Sequence, residues 1–311
     1  MKALDAAFLF FACTVICFPT LALSDDQYQP SSVPIGSDPY KNGIIFAPNP
    51  SLPGAKTQLY TKCSGGDEAT YTFRFEAKDN GAGHKHSNAG RPVGTLNPPS
   101  FRLKCDDQWR PTGEYTAPDT SGFVQIFNYA NGKPTTPPTT DFIVSVPGLI
   151  RLPKSKYIDE VHYSAMDNVL VMAPPHDHPD NHWGKADLNA KLLKIAKKYY
   201  EARNKKLVVN DMSLAMGGIL DFNNTWKAPH QTHKDGRHVD IQMIGAMDPD
   251  DRTAFKSIAE SVFGKRHVCI DGGTHWHLVI ETTCTDTSLE ELGYSEKDLK
   301  PNMKPLIESR Q

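Results

Sequence analysis

Apolar positions follow two different periods along this chain. Between about residues 54 and 174 they alternate with polar positions in short runs: Thr57–Cys63, Tyr71–Phe75, Phe101–Cys105, Phe123–Tyr129, Phe142–Val146 and Val169–Met172. A period of two sends successive side chains to opposite faces of a strand. Many short strands between turn clusters predict a β-sandwich-like domain over 54–174. The run Lys133-Pro-Thr-Thr-Pro-Pro-Thr-Thr140 reads as a loop within it. From about residue 175 the period lengthens. Lys185 to Asn204 gathers Leu188, Leu192, Ile195, Ala196 and Tyr199 on one helical face and lysines on the other. A second helix is expected from Asp248-Pro-Asp-Asp251, where Asp caps and Pro occupies the first turn. It buries Phe255, Ile258, Ala259, Val262 and Phe263, and Gly264 stops it.

Leu207–Asn210 and Val239–Ile244 are strand candidates between the helices, and Arg266–Ile270 with Thr274–Glu281 predicts a hairpin around Asp271-Gly-Gly273. Residues 175–284 are therefore expected to form a small α+β domain with an antiparallel sheet. Residues 25–53, rich in Pro, Ser, Asn and Gly, read as a linker or extended arm, and 285–311 as a polar tail.

The first 24 residues carry export signals. Lys2 begins a short positive region, Ala6 to Phe18 form an apolar core too short to span a bilayer comfortably, and Ala22-Leu23-Ser24 is a small-x-small cleavage site. A secreted or periplasmic protein is expected, with no stable membrane span after cleavage. Loss of Cys13 and Cys17 with this segment leaves Cys63, Cys105, Cys269 and Cys284. In an exported chain four cysteines read as two disulfides. Of the three connectivities, Cys63–Cys105 with Cys269–Cys284 keeps each bridge inside one candidate domain. Composition adds bounds rather than chemistry. With 311 residues, 39% hydrophobic and 23% charged, the chain is neither wholly disordered, fibrous nor a polytopic membrane protein. A net charge of -2 offers nucleic acid no electrostatic footprint.

Chemistry concentrates in two segments, Pro229-His-Gln-Thr-His-Lys-Asp-Gly-Arg-His-Val-Asp-Ile241 and Thr274-His-Trp-His-Leu-Val-Ile280. In the second, His275 and His277 leave a strand by the same face while Trp276 and Leu278 pack behind. In the first, Gly236 lets the chain turn between His233 and Asp240. An ionised Asp between Val239 and Ile241 is costly unless paired or metal-bound. Two imidazoles and a carboxylate suit zinc and leave a fourth position for water. Bound there, the ion would acidify a water molecule and polarise a scissile carbonyl. His275, beside the ligand His277, is placed to take the water's proton as general base.

The order Asp211-Met-Ser213, Gly217-Gly218, then His230, His233, Gly236 and Asp240, followed by a late His-x-His, resembles the zinc peptidases that cut peptidoglycan cross-links. This is the lysostaphin / D-Ala-D-Ala peptidase / hedgehog-like group, and the match is most like its penicillin-insensitive murein endopeptidase family. It covers about Leu207 to Ile280. The resemblance implies an exported zinc metalloendopeptidase acting on peptidoglycan peptides. It implies zinc ligands His233, Asp240 and His277, His275 as base, and His230 near the metal or ligating a second zinc ion. That family often has an acidic residue where this chain has His238, and the β-rich half has no counterpart in it. The alternatives are a non-catalytic zinc-containing binding protein, as in the hedgehog-like branch, and a zinc peptidase acting on proteins. His176, His178, His182, His84 and His86 read as loop residues, and Trp226 as a packing residue near the cleft.

Overall fold

A computed structural model describes residues 43–47, 49–78, 84–85, 87–160, 181–221, 226 and 232–284. Residues 1–24, expected to direct export, Val169–Met172, His86, His176, His178, His230 and the tail from 285 lie outside them.

The alternating half forms two four-stranded sheets. One has β1 (Gly43–Ala47), β2 (Lys56–Lys62), β6 (Arg110–Thr116) and β4 (Thr95–Asn97) in that spatial order, all antiparallel. The other places β5 (Ser100–Asp106), β3 (Ser64–Ala77), β7 (Gly122–Ala130) and β8 (Lys133–Val144) side by side, also antiparallel. Every second side chain of β7 is buried, as a period of two requires. Phe46, Leu59 and Tyr115 from the first sheet meet Val124, Ile126 and Phe142 from the second in one apolar cluster. The Tyr115 ring stacks on Phe75 at 5.3 Å and meets Phe142 edge-on at 4.9 Å.

One expectation is corrected here. The Pro/Thr run is strand, not loop: Lys133–Thr140 makes up most of β8. Because β8 is the sheet's edge, one side of its backbone needs no partner, and prolines that cannot donate are tolerated there. The segment 25–53 also ends in structure, since Gly43–Ala47 pairs along its whole length with β2.

β9 (Leu149–Arg151) pairs antiparallel with β11 (Trp183–Lys185), and the second half is built on a five-stranded sheet. Its spatial order is β10 (Ile158–Glu160), β12 (Leu207–Val209), β13 (His238–Gln242), β15 (His275–Val279) and β14 (Val268–Asp271). β10 runs parallel to β12, and the other pairs are antiparallel. Thus the sheet takes a strand from ahead of residue 174. Helices α1 (Ala186–Arg203) and α2 (Pro249–Phe263) pack on one face. There Leu188, Leu192, Ile195 and Tyr199 of α1 join Phe255 and Ala259 of α2 in one cluster with Val239, Ile241, Trp276 and Leu278 of the sheet. The predicted cap of α2 is a full capping box, with Asp248 accepting from the Asp251 N–H and Asp251 from that of Asp248. Strand outweighs helix, and the arrangement is α+β with several antiparallel sheets. No helix among the described residues is long and apolar enough to cross a membrane.

Both disulfides form as expected, Cys63–Cys105 and Cys269–Cys284. The second ties β14 to the segment leaving β15.

The two halves are joined by polar contacts. The β6–β7 turn accepts from Ile219 N–H at Asp119 O, 3.1 Å, and forms a bridge between Thr120 and Gly218. Ser121 Oγ donates to Gly217 O. Nearby, His84 Nδ1 lies 3.2 Å from Asp221 Oδ1, both side chains fully buried. Trp226 packs its ring on His84 at 4.5 Å, and its backbone N–H donates to Asp221 Oδ2 at 2.6 Å. Packing is therefore the fate of Trp226, and the loop residue His84 is buried at this join.

Candidate metal centre

The face of the sheet turned away from the helices carries the histidines. Along β13, Val239 and Ile241 point to the helical core, so His238, Asp240 and Gln242 point the other way. Along β15, Trp276 and Leu278 enter the core, which puts His275 and His277 on the same face as Asp240. Register then decides the contacts: Asp240 lies directly across from His277, and Gln242 from His275. The third candidate ligand arrives from outside the sheet. His233 opens a short 3-10 turn, His233–Asp235, closed by Gly236 at φ +73. A side chain at Gly236 would be impossible without movement, because a Cβ would come within 2.2 Å of Leu149 Cδ2. Glycine is favoured here for its left-handed backbone, since the Leu149 side-chain tip could give way to a Cβ.

His233, Asp240 and His277 are buried and bring their ligand atoms within 4.8 Å of one another. His233 Nε2 is 3.0 Å from Asp240 Oδ2, and His277 Nδ1 is 2.7 Å from Asp240 Oδ1. His275 Nε2 approaches the same carboxylate, 3.2 Å from Oδ2, and lies 3.6 Å from Asp271 Oδ2. Its other nitrogen, Nδ1, is 2.9 Å from Thr274 Oγ1, which itself donates to Asp271 O at 3.3 Å. The backbone of Asp240 is fixed on the β12 side, its N–H donating to Asp211 O and its carbonyl accepting from Asn210 N–H.

Electrostatics show why this cluster suits a cation. Burial pushes the Asp240 carboxyl up, but His275 and His233 outweigh it and hold the group well below the ordinary carboxylate range. The charge is therefore kept inside the protein, and something positive must balance it. In the metal-free chain the imidazoles do so. Burial pushes His275 down, yet Asp240 and Asp271 carry it up to about 10, and His233 is likewise raised by Asp240 and Asp211 against burial. A divalent ion would supply the same compensation. Two imidazole nitrogens and one carboxylate oxygen are usual donors for such an ion, and here the three lie within 4.8 Å of one another.

His238 completes the group. Its Nδ1 lies 2.9 Å from His277 Nε2, and burial, His233 and His277 push it down to about 3, which keeps it neutral. The sequence singled out His238 only as a departure, and overlooked Thr274 and Asp271. His182 is buried, its Nε2 3.3 Å from Val209 O. Comparison with known proteins finds no family model that matches the chain and no curated protein that matches it.

Proposed function

We propose that the chain is an exported zinc metallopeptidase hydrolysing amide bonds in peptidoglycan peptides or cross-links. One observation carries the reading: a buried carboxylate and two imidazoles converge with their ligand atoms within 4.8 Å, and a further imidazole, His275, stands beside them on the same strand face. His233, Asp240 and His277 would hold the ion, and this mixed nitrogen–oxygen donor set favours zinc. When bound, zinc acidifies a water molecule and polarises the scissile carbonyl. His275 takes the proton from the attacking water at Nε2 and returns it to the leaving amine. For that its own proton must sit at Nδ1, where the Thr274 hydroxyl accepts it and fixes the ring. Asp271 stands near enough to steady the imidazolium once it forms. The sequence likeness over Leu207 to Ile280 supports peptidoglycan as substrate. The apolar amino-terminal segment and two disulfides support export into an oxidising compartment.

The test is incubation of the mature, zinc-loaded protein with purified sacculi, followed by mass analysis of soluble fragments and of new amino termini. Amide cleavage is expected, and His275→Ala should keep bound zinc while turnover falls roughly 10²–10⁴-fold. Stoichiometric zinc with no new amino termini would leave a non-catalytic binding protein. Cleavage of proteins with intact sacculi would move the substrate class.

A further inference from the structure

The two ring nitrogens of His277 face different partners. Nδ1 is 2.7 Å from Asp240 Oδ1, and Nε2 is 2.9 Å from His238 Nδ1. Strand register makes this possible. Asp240 sits directly opposite His277, and His238, two residues back on the same face of β13, is its diagonal neighbour. A neutral imidazole has one proton and one lone pair, so the two contacts are alternatives in proton placement. With the proton on Nδ1, His277 donates to Asp240 and has no lone pair there for a cation. With the proton on Nε2, Nδ1 is bare, but Nε2–H then needs an acceptor. Among the described residues the contact within reach of Nε2 is His238 Nδ1.

We propose that His238 is a positioning residue of the metal centre: by accepting the Nε2–H of His277 at its own Nδ1, it holds His277 in the tautomer that presents Nδ1 to the cation. This rests on the zinc reading above. To accept at Nδ1, His238 carries its proton on Nε2. The partially exposed His238 ring is thus fixed in tautomer as well. A neutral acceptor polarises the ligand less than a carboxylate would. The centre therefore has room to bind more tightly, and a carboxylate at 238 should do so.

Zinc affinity, measured by competition with a chromophoric chelator, separates this role from mere packing. His238→Met fills similar space with only a weak thioether acceptor and should weaken zinc binding ~10–100-fold. His238→Glu, an acceptor that cannot donate when ionised, should bind at least as tightly as wild type. Nitrogen-resolved NMR of the zinc-loaded wild type should show the His277 proton on Nε2, a readout that needs no substitution. Equal weakening by both variants, a Met variant within about twofold of wild type, or a bare Nε2 in the loaded protein would each overturn the proposal while leaving the zinc site standing. A wild-type chain that takes up no zinc would overturn both.

Discussion

At the residue scale, Asp240 does the most. It is one carboxylate facing three imidazoles, each within 3.2 Å of one of its oxygens. Replacing it by Asn should cost zinc affinity more than ~100-fold, because a neutral amide neither ligates strongly nor compensates the ion's charge. The metal-free protein gives a second readout. In wild type, His275 should keep its proton through neutral pH and lose it near 10. Its folded pKa lies above the unfolded value of about 6.5, so the stability it lends is complete below that value and disappears as pH rises through about 10. In Asp240→Asn the attraction to Asp240 is gone while burial remains, and the imidazole signal should titrate well below 10 by proton NMR. Most of this centre was legible in the sequence, since an Asp between two buried hydrophobes and a His-x-His on an alternating strand each announce a polar face. The His238–His277 contact was not. Diagonal neighbours depend on the register of two strands that lie 39 residues apart in sequence at that contact.

At the scale of single elements, local rules decided what could be read. Helix α2 was legible from its cap to its final glycine because Asp, Pro and Gly act within a turn of where they stand. The structure adds ion pairs to that cap. Buried Asp251 receives Arg203 Nε at 2.7 Å and Lys205 Nζ at 2.5 Å, and so links the start of α2 to the end of α1. Burial pushes the Asp251 carboxyl up, but the bonds from Lys205 and Arg203 prevail and bring it to about 2. Asp251→Asn should destabilise the fold by about 1–3 kcal/mol at neutral pH, as loss of a cap and of buried charge pairing does. The sign of the pH dependence follows from the depressed pKa. The Asp251 contribution is present above its unfolded value near 3.9 and is lost as pH falls toward 2. Urea denaturation at several pH values should therefore find the gap between wild type and variant full above about pH 5 and closing on acidification. Strand β8 was illegible for the opposite reason. Its prolines argue locally against a strand, and only its place at the sheet edge reverses that argument.

At the scale of the whole molecule, backbone contacts lead from the β-rich half to the turn that carries His233 in the candidate metal centre. The β6–β7 turn grips Gly217 and Gly218, and Gly218 N–H donates at 2.8 Å to Lys234 O, inside the turn that His233 begins. The sequence marks only the Gly217-Gly218 pair on this path, because backbone atoms from distant segments make the rest. Gly218 has no room for a side chain: at φ +81, an added Cβ would stand 2.5 Å from Ser121 N and 3.0 Å from Asp119 O. Backbone atoms cannot swing aside as a side chain tip does, so the strain must move the loop. Gly218→Ala should lose about 2–4 kcal/mol, from an unfavourable left-handed backbone and from overpacking, and should also weaken zinc binding by shifting His233. Gly132 is the control. It stands at φ +73 in the β7–β8 turn with nothing within 4 Å of an added Cβ. Gly132→Ala should cost only the backbone part, about 1–2 kcal/mol, and leave zinc affinity unchanged. If the two variants lose stability equally and bind zinc alike, the β-rich half does not brace the ligand turn. If only Gly218→Ala loosens zinc, the β-rich half helps to set the geometry of the ligand turn.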